Sequence, residues 1–523
     1  MKLFKKNNIV FFLIIVLITA CTSEFEEINT NPNSQEEGSN EGLLLGAQIG
    51  AASVLLDNVR GYNSGLGKWV QYYNTNLTPT DFVKSNPRED FNDFWVYHNL
   101  TTSVIPLIER VIDNSEKVPN ANYNAVALIM KAWVYSSMTE LWGPIPYFDA
   151  QYGEDSEELQ YNKPKFDSQK EILLDALELL KKANEAIIIS NEAGVAINSE
   201  SDAYASGDLL KWKKFSNSLR ARILLRISDV EPAFASSELS ELFLNPTKFP
   251  VMTSNDDNFG ISWEDAEGSF PDPFARYKQD NSYGPFLISG FVNLLGEKED
   301  PRLKYLADPA EGYDQESYIG LPPAFDDENP FGFTRMSRDS VSQISYRYME
   351  VQKRNIMTFS ELNFIKAEAS FKGIDVGISP EDAYYKGIMS NMWQLSIPDD
   401  LIKDYVDNID VVFNNNNAME LIITQRYIAQ FGQSINSFSM IRRTGLPLLD
   451  YFAIGVNKEN GFPVRVGYPS GNMQNFNNEN FEEAVEGVNI VNKVFGDNLW
   501  FSSNSKTPEM TPFIQQGPKV FSY

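Results

Sequence analysis

The chain contains one histidine, one cysteine and 71 acidic residues, and these counts bound its chemistry before any element is placed. His98 is the only imidazole, in the run Trp95 to Leu100, so a Ser/His/Asp or Cys/His nucleophile system is implausible. A two-histidine metal site cannot form within one chain. His98 reads instead as a partly buried, hydrogen-bonded residue. No Gly-x-Gly-x-x-Gly follows a strand pattern, and no Walker-type phosphate loop is present. Paired carboxylates remain open as a catalytic option, because a glycoside hydrolase needs two at ~5–10 Å across a cleft. With 71 acidic residues, close pairs arise by chance, and sequence fixes none of them in space. Asp326-Asp327-Glu328-Asn329 and Asn255-Asp256-Asp257-Asn258 carry the hard oxygens that calcium takes, but neither has the spacing of a known loop. Both read as acidic solvated turns, and no metal or cofactor is expected.

A second kind of chemistry is non-covalent. Aromatic residues make up 13% of the chain, and several lie in polar, Gly/Pro-rich stretches where no core pattern demands them. Pyranose rings present apolar C–H faces, which a protein grips with aromatic rings while nearby polar side chains bond the hydroxyls; such an apolar platform with a few placed polar groups is the general form of a ligand site. Two stretches qualify. Tyr72 to Asp90 holds Tyr72, Tyr73 and Phe82 beside Asn74, Asn76, Asp81 and Lys84. Ser262 to Tyr348 holds Trp263, Phe270, Phe274, Tyr277, Tyr283, Tyr313, Tyr318, Phe325, Phe331, Phe333 and Tyr346, with Arg276, Lys278 and Arg335 able to bond hydroxyls or a uronic carboxylate. From these, Tyr73, Phe82, Trp263, Phe274, Tyr277, Tyr283, Phe331 and Tyr346 are the candidate ligand-binding residues. Trp95 and Trp133 sit on helical apolar stripes and read as core.

The elements that must position such loops are helical. Apolar spacing predicts helices over Gly42 to Val59, Phe91 to Val111 (interrupted near Pro106), Tyr123 to Trp142, Gln169 to Ile188, Asp208 to Ile227 and Pro232 to Phe243. After about Leu244 the pattern becomes Gly-, Pro- and Asp-rich, apart from Phe286 to Leu295. Helices resume over Thr358 to Phe371, Pro380 to Met392, Ala418 to Phe431 and Ser434 to Arg443. The expected fold is mostly α: a tetratricopeptide-like helix-pair scaffold in two blocks, 41–244 and 355–443, a loop-rich insertion over 245–354, and an irregular packing tail over 444–523. No clean 34-residue period supports a strict repeat.

The N-terminus has its own signal. Lys2, Lys5 and Lys6 precede an apolar run from Ile9 to Ile18, too short to span a bilayer of ~30 Å as a helix, so residues 1–20 read as a cleaved leader. Ile18-Thr19-Ala20-Cys21 resembles the lipobox of bacterial lipoproteins, in which the cysteine is acylated; Cys21 is the lipid-attachment candidate, and residues 21–40 suit a flexible tether. Two or three acyl chains on one residue meet the two-signal requirement for stable anchoring. Losing the three lysines would take the formal charge from −27 to −30. A surface that negative repels nucleic acid and anionic headgroups, and suits neutral or cationic ligands.

Several pieces together resemble the SusD/RagB family of outer-membrane nutrient-binding lipoproteins. They are Phe25 to Asn33, Trp133 through Leu141-Trp142-Gly143-Pro144-Ile145-Pro146-Tyr147, Trp212 to Arg220, Asp300-Pro301-Arg302-Leu303, Glu361 to Glu368, Thr424-Gln425-Arg426-Tyr427 and Arg442-Arg443-Thr444-Gly445. Most are packing and turn residues; Arg442 and Arg443 at a helix end read as buried ion-pair partners before anion ligands. The resemblance implies a domain over 41–523 held at the exterior face of the outer membrane by a lipid anchor. It implies a non-catalytic protein that captures oligosaccharide, with a β-glucan such as laminarin among the candidates, or else peptide, and delivers it to a SusC-like TonB-dependent transporter. A surface-anchored glycoside hydrolase is the competing reading, and no nucleic-acid partner is expected.

Overall fold

The computed structural model describes residues 38–56, 63–74, 100–117, 120–150, 163–190, 196–262, 284–313, 316–322, 337–349, 353–449, 460–469, 477–491, 494–505, 508 and 519–522. Its helices are α1 (Asn40–Leu55), α2 (Asn63–Trp69), α3 (Ile105–Lys117), α4 (Ala121–Trp142), α5 (Gln169–Ala186), α6 (Leu209–Ile227), α7 (Pro232–Leu244), α8 (Ser289–Glu297), α9 (Phe359–Phe371), α10 (Pro380–Gln394), α11 (Asp399–Val406), α12 (Ala418–Ala429), α13 (Ser434–Thr444) and α14 (Asn478–Ala484), with single turns at Leu303–Leu306 and Tyr346–Met349.

Local chemistry sets most of these boundaries. Ser168 and Glu171 close a capping box at the start of α5, satisfying two N–H groups reciprocally. Asp208, Thr358 and Ser379 cap α6, α9 and α10 with side-chain oxygens. Gly143, at φ 97°, ends α4, and Gly445 ends α13 in the left-handed region. The interruption expected at Pro106 takes a specific form: Leu100–Val104 is wound as a π-helix that runs directly into α3 at Ile105, so the proline follows the wider turns at the junction of the two.

Consecutive helices pack on one another, α3 on α4, α4 on α5, α5 on α6 and α9 on α10, in the tetratricopeptide-like manner. One hydrophobic core runs from Leu43 on α1 through Trp142, Trp212, Leu287 and Phe438 to Phe501, so distant parts of the chain share it. A smaller core under α10 to α12 centres on Phe364, Tyr384 and Ile422. The residues after α13 pack back: Trp142 Nε1 donates to the Gly467 carbonyl at 2.9 Å, and Val466 N–H to that of Leu141.

Ion pairs cross this core. Glu361 on α9, with no exposure, accepts from Arg222 of α6 at 2.9 and 2.6 Å and from Arg426 of α12 at 3.1 Å. Glu368, two turns further along the same face of α9, pairs with Arg443 of α13 at 2.7 Å, and Arg443 also meets Asp229 at 3.1 Å. Arg442 departs from the ion-pair expectation: its guanidinium serves the carbonyls of Glu140 and Val464 at 2.6 and 2.9 Å and stacks 3.9 Å from the Phe438 ring centroid.

The expectation for Phe286 to Leu295 needs correction. Phe286–Leu287 is strand β5, and only from Ser289 does the chain turn helical. Twelve short strands occur among the described residues. Those used below are β1 (Tyr73–Asn74), β4 (Phe259–Ser262), β5, β6 (Ala307–Asp308), β7 (Ser317–Tyr318), β8 (Gln343–Ile344) and β9 (Lys353–Met357). β4 and β9 pair antiparallel with a register shift at Gly260, where an added Cβ would lie 1.9 Å from the Arg354 carbonyl oxygen. Gly260→Ala is expected to lower stability by about 1–3 kcal/mol through forced separation of the two strands. A denaturation midpoint equal to that of the parent would count against this account.

Candidate functional site

A small sheet gathers the stems of the ring-bearing stretches. Its order is β1-β5-β8-β6, with Tyr73 opposite Leu287, Phe286 opposite Gln343 and Ala307 opposite Ile344. β1 leads into 75–99, β5 follows 263–283 and β8 follows 323–336. The 263–283 segment also starts from Ser262, which pairs with Lys353. Each of three segments far apart in sequence therefore has one end at or beside this sheet. Phe82, Trp263, Phe274, Tyr277, Tyr283 and Phe331 lie in these segments, outside the described residues, as do Cys21, His98, Trp95 and Asp326 to Asn329.

Tyr73 is a correction. It is fully buried on β1, with its ring against Gly67 and an edge toward Phe431. Neighbouring Tyr72 is buried too, stacked 4.6 Å from Tyr427 and donating its hydroxyl to that residue's carbonyl at 2.5 Å. Tyr318 is likewise interior, its hydroxyl 2.6 Å from Glu316. None of these three rings can serve as an open platform, because pairing and packing have already covered their faces. Tyr346 is different: it stands 48% exposed on the turn that follows β8, and Tyr313 is 42% exposed.

The residues that follow Tyr346 are tied to the scaffold by ring contacts and hydrogen bonds. Arg347 lies over the Tyr305 ring at 4.1 Å, and Tyr348 donates to the Phe431 carbonyl at 2.9 Å with Arg354 stacked 5.0 Å away. Lys353 donates to the Asn258 carbonyl; burial, reinforced by nearby Lys211, pushes its ammonium down to about 7. Beneath them, between Tyr348, Arg354, Asn391 and Gln433, is a cavity of about 40 Å³. That volume suits a water or two and excludes a sugar ring.

Trp393 escaped the sequence reading. It is 50% exposed at the end of α10, with its indole N–H donating to Asp399 at 2.8 Å, whereas Trp69, Trp133, Trp142 and Trp212 are buried. The available signal was its position off the stripe formed by Ala383, Tyr384, Gly387, Ile388 and Met392. Equally unforeseen is a groove of about 820 Å³ between the end of α8, the 409–417 segment and α12.

Among the described residues, no group of three His, Cys, Asp or Glu side chains is placed to hold a metal ion. Asp257, in one of the two acidic runs, accepts instead from Lys214 and Thr253 at 2.8 Å. No helix of the described residues is long and apolar enough to cross a membrane.

Residues 32–469 match a family model described as starch-binding, associating with the outer membrane. Similar solved structures include a chitin-binding protein with 25% identity and a TM-score of 0.71, covering 88% of this chain and 99% of that one. A chitin-binding SusD homolog from Flavobacterium johnsoniae shares 21% identity with a TM-score of 0.70, over 90% of this chain and all of that one. A SusD homolog from Bacteroides vulgatus shares 19% identity with a TM-score of 0.73, over 90% and 98% of the two chains. No curated protein matches.

Proposed function

The chain belongs to the SusD-like family of carbohydrate-binding proteins that associate with the outer membrane, and on that premise we propose that it is a non-catalytic surface lipoprotein, acylated at Cys21, that captures a neutral oligosaccharide and passes it to a TonB-dependent transporter. The observation that supports this reading most is that three aromatic-rich segments each have one end at or beside the β1-β5-β8-β6 sheet. A platform for sugar rings needs several side chains held at fixed spacing on an exposed surface, and loops on a rigid frame supply that. Tyr346 is the described member of the platform, with Trp263, Phe82, Phe274, Tyr277, Tyr283 and Phe331 proposed beside it. The chain's charge of −27 favours a neutral ligand over an anionic one.

Native gels containing laminarin, soluble starch or glycol chitin, with a peptide mixture as control, test the reading. Chitin joins the panel because a similar solved protein binds it. Trp263→Ala or Phe82→Ala is expected to weaken retardation by roughly three- to tenfold, the scale of one lost ring contact, with the melting temperature unchanged. Retention of full affinity after removal of every loop aromatic would overturn the platform. New reducing ends, abolished by a single carboxylate-to-amide change, would favour the hydrolase instead.

A further inference from the structure

The groove between α8 and α12 is lined by none of the residues named for the loop platform. It opens toward the C-terminal end of α8, roughly 12 Å of helix away from β5. Thr424 of α12 lines it; this residue is only 7% exposed, yet its hydroxyl bonds to nothing among the described residues. Its oxygen is not among the buried unpartnered atoms, so the hydroxyl opens onto the groove, where an entering group can bond it. The side-chain amides of Asn415, Asn416 and Asn417 line the same groove, exposed to solvent and without protein partners among the described residues, and Asn417 does not cap α12. Its apolar members include Ile409 and Leu448, which are 85% and 70% exposed.

Residues 408–413, which lead into these asparagines, are anchored by hydrogen bonds. Tyr384 donates to the Val411 carbonyl at 2.8 Å, Phe413 N–H donates to Tyr385 at 2.9 Å, and Asn408 donates to the Lys298 carbonyl at 3.3 Å. Preorganised groups lose little freedom on binding. We propose that this groove is a second binding site for a neutral oligosaccharide, with the Asn415–Asn417 amides and the Thr424 hydroxyl bonding sugar hydroxyls while Ile409 and Leu448 meet C–H faces. Amides both donate and accept, which matches a hydroxyl-rich chain. The charges disfavour an anion: Asp410, Glu420 and Glu297 line the groove, and Lys298 faces the Asp410 carbonyl. No strand lies among the lining residues, so an extended peptide would find no edge to extend. The volume, about 820 Å³, falls within the range of ligand sites.

This inference rests on the carbohydrate reading above, and the test separates the two. Calorimetry on the mature chain with laminarihexaose and chitohexaose compares the parent with Thr424→Val, which keeps the shape and removes only the hydroxyl, and with Thr424→Val/Asn416→Ala. Each lost hydrogen bond is expected to weaken groove binding roughly three- to tenfold, so the double variant shows one site fewer per chain with an unchanged melting temperature. Binding of a hexaose by the double variant with the parent's stoichiometry and affinity overturns the groove alone. Failure of the parent to bind either hexaose, with no retardation in the polysaccharide gels, overturns the carbohydrate reading and the groove with it.

Discussion

Replacing Glu361 by Gln is expected to destabilise the fold by about 3–5 kcal/mol, the cost of leaving buried cations without their counter-charge. The carboxylate has no solvent exposure and faces Arg222 and Arg426, themselves 4% and 2% exposed. Burial already lowers the Arg426 guanidinium, with Glu361 as its principal compensation. The amide fills nearly the same volume but carries no charge, so the loss is electrostatic and no cavity forms. Denaturant unfolding of parent and variant measures it; a shift below about 1 kcal/mol would mean that water or Glu368 takes over the pairing. Substituting all three members by apolar residues of similar volume is expected to recover most of the loss, since the desolvation penalty disappears along with the pairing. The exposed Lys403–Asp407 pair on α11, by contrast, is expected to contribute nothing measurable.

Acid is expected to weaken the same centre within a defined window. Burial on its own would raise the Glu368 carboxyl, but Arg443, Lys372 and Arg426 together hold it down at about 2, against 4.5 for a free side chain. The folded state therefore binds this proton more weakly than the unfolded state does. Its contribution is complete above pH 4.5 and disappears as the pH falls toward 2. That lowering contributes on the order of 3 kcal/mol of stability at neutral pH. Glu361, also held low by Arg222 and Arg426 against burial, adds to the loss in the same direction. Melting curves at pH 7, 4 and 3 for the parent and for Glu368→Gln test this: the parent should fall more steeply across the acidic window. Parallel slopes would show that Glu368 is not among the groups that titrate there.

How much of this was readable in advance depended on the range of the interactions. Long helices announce themselves locally. Spacing predicted a helix over Gln169 to Ile188, and α5 runs Gln169–Ala186, opened by a capping box that lies within four residues. The strands carry no such signal. Two residues cannot display an alternating pattern, so Phe286 and Leu287 merged into the helix that follows them. Tyr72 and Tyr73 looked like loop residues because they precede a polar stretch. Their partners, Tyr427 and Leu287, lie more than 200 residues away and leave no local trace. Trp393 and Thr424 show the opposite and equal difficulty. One aromatic ring stands half in water and one threonine lies nearly buried beside a groove, and residue type alone argues against both placements.

What the amino-acid order determined by itself is whatever short-range physics dictates: helix periods and caps, the acidic charge, the basic and apolar leader pattern before Cys21, and the scarcity of nucleophile partners around a single histidine. Only the tertiary structure decided which rings are covered, which carboxylates meet arginines and where a concave surface forms. Arg222 and Glu361 are 139 residues apart, and their pairing depends on how α6 and α9 pack. Burial and adjacency belong to the assembled core, because each is set by contacts among residues from every part of the chain.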